Sequence, residues 1–275
     1  MSRRKETIYG IILVLALLVL AERESPGLFW SSKPLDLGVA QYPEAGESEY
    51  QDTRHRWARL KEAAAYQVIY RYGEKARASS WGEHAALGNR FNYREVRRNQ
   101  FQWTPPRDCQ RQGLTGHAGT WACVYGDVLA NSRHDLVPLV NRLSEGMARD
   151  QVATTTDAAR WLLDFVQNIP YRIPEEQDFG LLPPALVVSA YWGDCDSKSL
   201  LLLHLLRRFD ISAYMLISRA HEHAVLGINV PYATEDTFEV RGRHYAWAET
   251  TARLPLGRLN PRFLSPDDWQ VIWVP

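Results

Sequence analysis

The sequence predicts an α+β fold in which a buried helix packs on an antiparallel sheet. Residues 193–209 form one helical segment whose middle, Leu200 to Leu206, is apolar nearly all round, as a central buried helix must be. The segments 212–218, 221–230, 237–240 and 244–250 then alternate or carry β-favouring residues, and Arg241-Gly242-Arg243 supplies a hairpin turn between the last two. One buried helix followed by a run of strands is the α+β pattern. Composition agrees, since 275 residues with 45% hydrophobic and 23% charged side chains suit a globular chain with a sizeable core. Basic and acidic residues balance at 32 each, which argues against a dedicated nucleic-acid binder.

From the amino terminus onward, Arg3, Arg4 and Lys5 precede an apolar run over 8–21, and Glu22-Arg23-Glu24 returns to charge. This is the layout of an export signal. A helix of this length at ~1.5 Å per residue spans roughly 20 Å, short of the ~30 Å hydrocarbon core. Val19-x-Ala21 suits cleavage after Ala21, and a short uncleaved signal anchor fits as well, because flanking side chains can snorkel. A buried core helix fits less well, since the run is apolar all round with charged flanks. The basic flank stays cytoplasmic. The expected location is therefore a single-pass membrane protein with its domain on the extracytoplasmic, periplasmic side, or a secreted or periplasmic protein if cleaved.

The expected layout is a signal peptide or anchor over 1–21, a linker over 22–50, a helical and irregular region over 51–150 and a carboxy-terminal domain over 151–275. Pro26, Pro34 and Pro43 mark the linker as a tether. The spacing of Trp57, Leu60, Ala64, Val68 and Tyr72 predicts an amphipathic helix over 50–74. Residues 79–125 have no clear period and read as irregular with short strands, whereas 136–147 reads as a short helix. Thr156-Asp157 can cap a helix running to about Asn168, which Pro170 stops. Pro183-Pro184 reads as an irregular connection, and 269–274 can add a strand. Between Thr53 and Gln112 there are 13 Lys/Arg against 5 Asp/Glu. Such a basic face can meet anionic lipid, an acidic partner or the acidic remainder of its own fold.

Three cysteines occur, Cys109, Cys123 and Cys195, so an exported chain leaves at least one thiol unpaired. Cys109 and Cys123 lie 14 positions apart across Gly113, Gly116 and Gly119, a stretch easily looped back, and are expected to form a disulfide. Cys195 is then free. It sits where the central helix begins, where partial positive charge favours a thiolate, although Asp194 and Asp196 oppose it. His223 is the candidate partner: on its strand it shares a face with His221 and Val225, while Glu222 and Ala224 point oppositely. On the next strand Tyr245, Trp247 and Glu249 share a face. An acid ending an aromatic row is expensive to bury alone, and an imidazole partner removes that cost.

The segment G-D-C-D-S-K-S-L-L-L-L-H-L-L-R-R-F-D-I-S-A, from Gly193 to Ala213, resembles the nucleophile helix of the transglutaminase-like superfamily, a papain-like group. The histidine strand and acid strand follow in matching order, and Phe165 to Tyr171 looks like the segment that precedes the cysteine in that group. The resemblance covers about 154–251. It implies a papain-like fold with a buried nucleophile helix on an antiparallel sheet, here preceded by a single amino-terminal hydrophobic helix. It implies Cys195 as nucleophile, His223 as general base and Glu249 as the residue orienting it. The oxyanion hole would take the Cys195 N–H and an upstream donor, with Trp192 as candidate. Two positions depart from the pattern: Ala224-Val225 stands where Ala-Trp is common, and Glu249 where aspartate is usual.

Two functions follow as expectations. One is acyl transfer at a peptide or amide bond through a thioester, resolved by water in a protease or amidase and by an amine in a transglutaminase. The other is a catalytically inactive module of the same fold that binds a peptide or protein. The expected partners are a peptide or protein substrate and, through the amino-terminal segment, the membrane, with no nucleic acid. No cofactor is expected. A metal bound by His221, His223 and Cys195 lacks a fourth ligand at tetrahedral spacing, so no metal site is assigned.

Overall fold

The computed structural model describes residues 50–58, 65–97, 100–132, 136–174, 178–231 and 237–275. The expected signal segment and tether lie outside these. The first described elements are strands β1 (Tyr50–Ala58) and β2 (Ala65–Gly73), paired antiparallel with Tyr50 opposite Gly73 and Ala58 opposite Ala65. The helix expected over 50–74 is therefore a hairpin. Its second half reads Y-Q-V-I-Y-R-Y, an aromatic and β-branched alternation at Tyr66, Val68, Tyr70 and Tyr72 that outweighs the helical spacing.

The stretch expected to be irregular holds three helices: α1 (Glu74–Arg90), α2 (Arg107–Arg111) and α3 (Gly116–Ser132), with a short ribbon of β3 (Arg94–Arg97) and β4 (Gln100–Gln102) after the first. Glycines obscured α3. A side chain at Gly119 would meet the Leu114 backbone at 2.5 Å, so this glycine permits close packing rather than breaking the helix. Cys109 on α2 and Cys123 on α3 form the expected disulfide, with Cα atoms 5.9 Å apart. One charge of the basic excess is matched by the rest of the fold, since Arg90, besides pairing with Asp108 at 2.7 Å inside the basic stretch, pairs with Asp127 at 2.5 Å outside it.

Helix α4 (Val137–Arg149) lies where a short helix was expected, and α5 (Thr155–Gln167) is capped by Thr154, whose hydroxyl accepts from the Asp157 N–H. The cap stands two residues earlier than expected. After Pro183, a seven-residue helix α6 (Pro184–Ala190) replaces the expected irregular connection. Proline is tolerated in its first turn, where no helical acceptor awaits its missing N–H. Helix α7 (Cys195–Arg208) begins two residues after and ends one residue before the expected bounds, and Leu200 to Leu203, Leu205 and Leu206 are all fully buried.

The sheet is five-stranded and antiparallel, in the order β7 (Thr237–Val240), β8 (Arg243–Ala248), β6 (His223–Ile228), β5 (Ala213–Ser218), β9 (Gln270–Ile272). Arg241 and Gly242 turn β7 into β8 with φ of 52° and 74°, the left-handed backbone a two-residue hairpin needs. Alternation divides the sheet's side chains between two clusters. Met215, Ala224, Leu226, Ala246 and Ala248 join the main core with the leucines of α7, and the small alanines let that helix approach. Leu216, Val225 and Trp247 join Leu259 and Trp269 in a second cluster. The main core is continuous from Leu87 to Val274.

Candidate active site

Two elements meet at the site: the start of α7 and the end of the sheet where β6 begins and β8 finishes. Asp194 caps α7, its Oδ1 accepting from the Ser197 N–H at 3.0 Å. Cys195 is the first helical residue. Its N–H has no helical acceptor, as at every helix start. The thiol is buried and donates to Asp196 Oδ1 at 3.3 Å, and the backbone N–H of Ala224 is near enough to favour its charged form. The sulfur thus lies against the strand that begins with His223.

His223 Nε2 meets Glu249 Oε2 at 2.7 Å. Its other nitrogen, Nδ1, makes no hydrogen bond among the described residues. The ring packs on Phe263 and Trp269 at centroid distances of 5.5 and 6.2 Å. Glu249 Oε1 accepts two 2.7 Å bonds from Thr251, one from its N–H and one from its hydroxyl. Burial alone would raise the Glu249 carboxyl, but the His223 and Thr251 bonds outweigh it and hold the group below its usual range. The side chain of Gln167 on α5 donates to the Glu249 carbonyl at 2.8 Å, fixing the backbone there.

The electrostatics around the sulfur oppose its ionisation. Burial, then the Asp196 and Asp194 carboxyls, push the Cys195 thiol well above its ordinary value. Asp196 is itself raised by burial, even though Tyr125 on α3 donates to its Oδ2 at 2.6 Å. Asp194 is pushed up to about 7, first by burial and then by Asp196. One turn along α7, the ammonium of Lys198 is fully buried and donates to the Ile169 carbonyl at 2.7 Å. Burial lowers it to about 8, opposed by Glu249. Below that pH it adds a positive charge behind the acid.

Ile169 leads into an extended piece beside the start of α7. Gly193 donates to the Pro170 carbonyl at 3.2 Å and Arg172 donates to the Gly193 carbonyl at 3.1 Å, so Tyr171 pairs with Gly193 in a parallel bridge. Trp192, the candidate oxyanion donor, precedes this bridge; its ring lies under the Arg172 guanidinium at 4.7 Å. Its backbone N–H has no partner among the described residues.

The structure therefore brings His223 to Glu249 and the strand of His223 to Cys195. It does not assemble His221, His223 and Cys195 as a ligand set. His221 Nε2 turns to Asp268 at 3.2 Å, and Glu249 occupies His223 Nε2. The one group of clustered metal-ligand atoms among the described residues is Asp194, Cys195 and Asp196, within 4.8 Å of one another. These already cap the helix and bind Tyr125, and such a cluster alone assigns no metal. Lys198, Tyr125, Thr251 and Gln167 were missed from sequence. For Lys198 a signal existed, a lone cation three residues after the cysteine inside an apolar helix. For Tyr125 none did, since it comes from a helix that was itself read as irregular. Comparison with protein-family models, curated proteins and solved structures found no match to this chain.

Proposed function

We propose that the chain is a transglutaminase-like, papain-like cysteine enzyme that acts on peptide or amide bonds by thioester acyl transfer, exported across or anchored in a membrane. The observation that carries the reading is the His223–Glu249 bond of 2.7 Å on the strand whose Ala224 N–H meets the Cys195 sulfur. Glu249 fixes the orientation of the ring, and Nδ1 is the nitrogen left to take the thiol proton. The thiolate then attacks the substrate carbonyl, with the Cys195 N–H and the unpartnered Trp192 N–H as candidate donors to the oxyanion. The imidazolium returns its proton to the leaving amine. Water or a second amine, deprotonated by the same ring, releases the acyl group and restores the thiol.

A catalytically inactive peptide-binding module is the second reading. It is favoured by the thiol's upward shift and by its bond to Asp196 rather than to an imidazole. Comparison of the wild type with Cys195→Ala on periplasmic peptides and proteins separates the two. The expected result is loss of cleavage or transfer with unchanged thermal unfolding; equal activity in both proteins overturns the catalytic assignment.

A further inference from the structure

Three arginines lie over aromatic rings among the described residues. Arg241 over Trp273 belongs to the far end of the sheet, where Trp273 packs on Tyr214. The other two flank the site. Arg172 lies 4.7 Å over Trp192, three residues before the nucleophile, and Arg262 lies 4.5 Å over Phe263, whose ring packs on His223. Both arginines are exposed, and neither has an ion-pair partner among the described residues. The nearby Asp268 is already engaged by His221.

A guanidinium stacked on a ring uses its face and leaves its edge donors free. The stack also removes rotamer freedom before any ligand arrives. The edge is the part that grips a carboxylate in a bidentate fork. Beside Arg172, Tyr171 and Ile173 are each 52% exposed, an apolar rim on an extended segment. The Tyr171 bridge uses the carbonyl of residue 170 and the N–H of residue 172, so the N–H and carbonyl of Tyr171 itself point away from Gly193 with no partner among the described residues. That free edge can take an extended chain.

We infer that this site takes acidic peptides: a substrate in extended form lies along Tyr171 to Ile173 with its carboxylate side chains bound by Arg172 and Arg262. The inference rests on the catalytic reading above. Asp194 and Asp196 crowd the sulfur with carboxyl groups that offer a substrate carboxylate no counter-charge, so the carboxylates belong to side chains flanking the scissile bond, out at the two arginines.

The test measures protection of Cys195 from iodoacetamide, read by mass spectrometry on the full chain, with acetyl-Ala-Glu-Ala-Glu-Ala-amide and its glutamine counterpart as probes. Cys109 and Cys123 are bonded, so Cys195 is the thiol read. The glutamate peptide is expected to protect at about fivefold lower concentration, an advantage lost at high ionic strength and in Arg172→Gln/Arg262→Gln. Equal protection by the two peptides, or none, with Cys195 alkylated in the folded protein, overturns the acidic preference and leaves the catalytic reading standing. A Cys195 that reacts only on unfolding overturns the catalytic reading and this one with it.

Discussion

Asp196 is the residue that most directly governs the state of the Cys195 thiol. It accepts the thiol proton's hydrogen bond, sits next in sequence to Cys195 and is the largest charge holding the sulfur neutral after burial itself. A carboxylate this close shifts a neighbouring acid by one or more pH units. Asp196→Asn should therefore speed iodoacetamide alkylation of Cys195 at neutral pH by about tenfold. A slower reaction in this variant would instead make Asp196 the base that withdraws the proton. Sequence reading identified the opposition between Asp196 and the thiolate correctly, because adjacency along the chain guarantees proximity. It could not see that Tyr125, 71 residues earlier, donates to the same carboxylate. Contacts of that separation leave no local pattern.

At the scale of elements, legibility followed the strength of periodicity. Helix α7 and strands β5 to β8 were readable because one period dominated each: all-round leucine, or alternation with a glycine turn. The hairpin of β1 and β2 was misread because Trp57, Leu60, Ala64, Val68 and Tyr72 satisfy a helical spacing while Tyr66 to Tyr72 satisfy a strand. Helix α3 was missed because its glycines serve close packing. The Cys109–Cys123 pairing was readable from the short spacing and the glycines between the two, and it closes a loop between two helices. Cys109→Ser/Cys123→Ser should lose about 3 kcal/mol of stability by the chain-entropy estimate. Chemical denaturation with matched slopes is the measurement, and an unchanged midpoint would mean that α2 and α3 hold each other without the bond.

For the whole molecule, the main core runs without a break from Leu87 to Val274, so a weak point anywhere along it is felt as global stability. His84 on α1, one turn before Leu87, adjoins this core and is such a point. It is 3% exposed, both ring nitrogens lack a partner among the described residues, and it lines a small cavity with Ser80, Leu87, Val128 and Ser132. Burial lowers it from 6.5 to about 4. The unfolded chain takes up the proton below pH 6.5 while the folded chain resists until about pH 4, so stability falls as pH drops through that window. The shift corresponds to at most about 3 kcal/mol. His84→Leu should flatten this part of the acid limb in thermal unfolding followed from pH 7 to 4. A limb identical to wild type would show that the folded ring is hydrated and titrates normally.

The disulfide reaches further than its own loop. Cys123 stands two residues before Tyr125 on one helix, and Tyr125 holds the acid that hydrogen-bonds the sulfur of Cys195. Closing that bond therefore ties α2 to the helix that carries Tyr125, and through Tyr125 to the carboxyl beside Cys195. On the exported, catalytic reading proposed above, a polypeptide folded before that bond closes would hold Tyr125 on a less constrained helix, with the surroundings of its sulfur completed last.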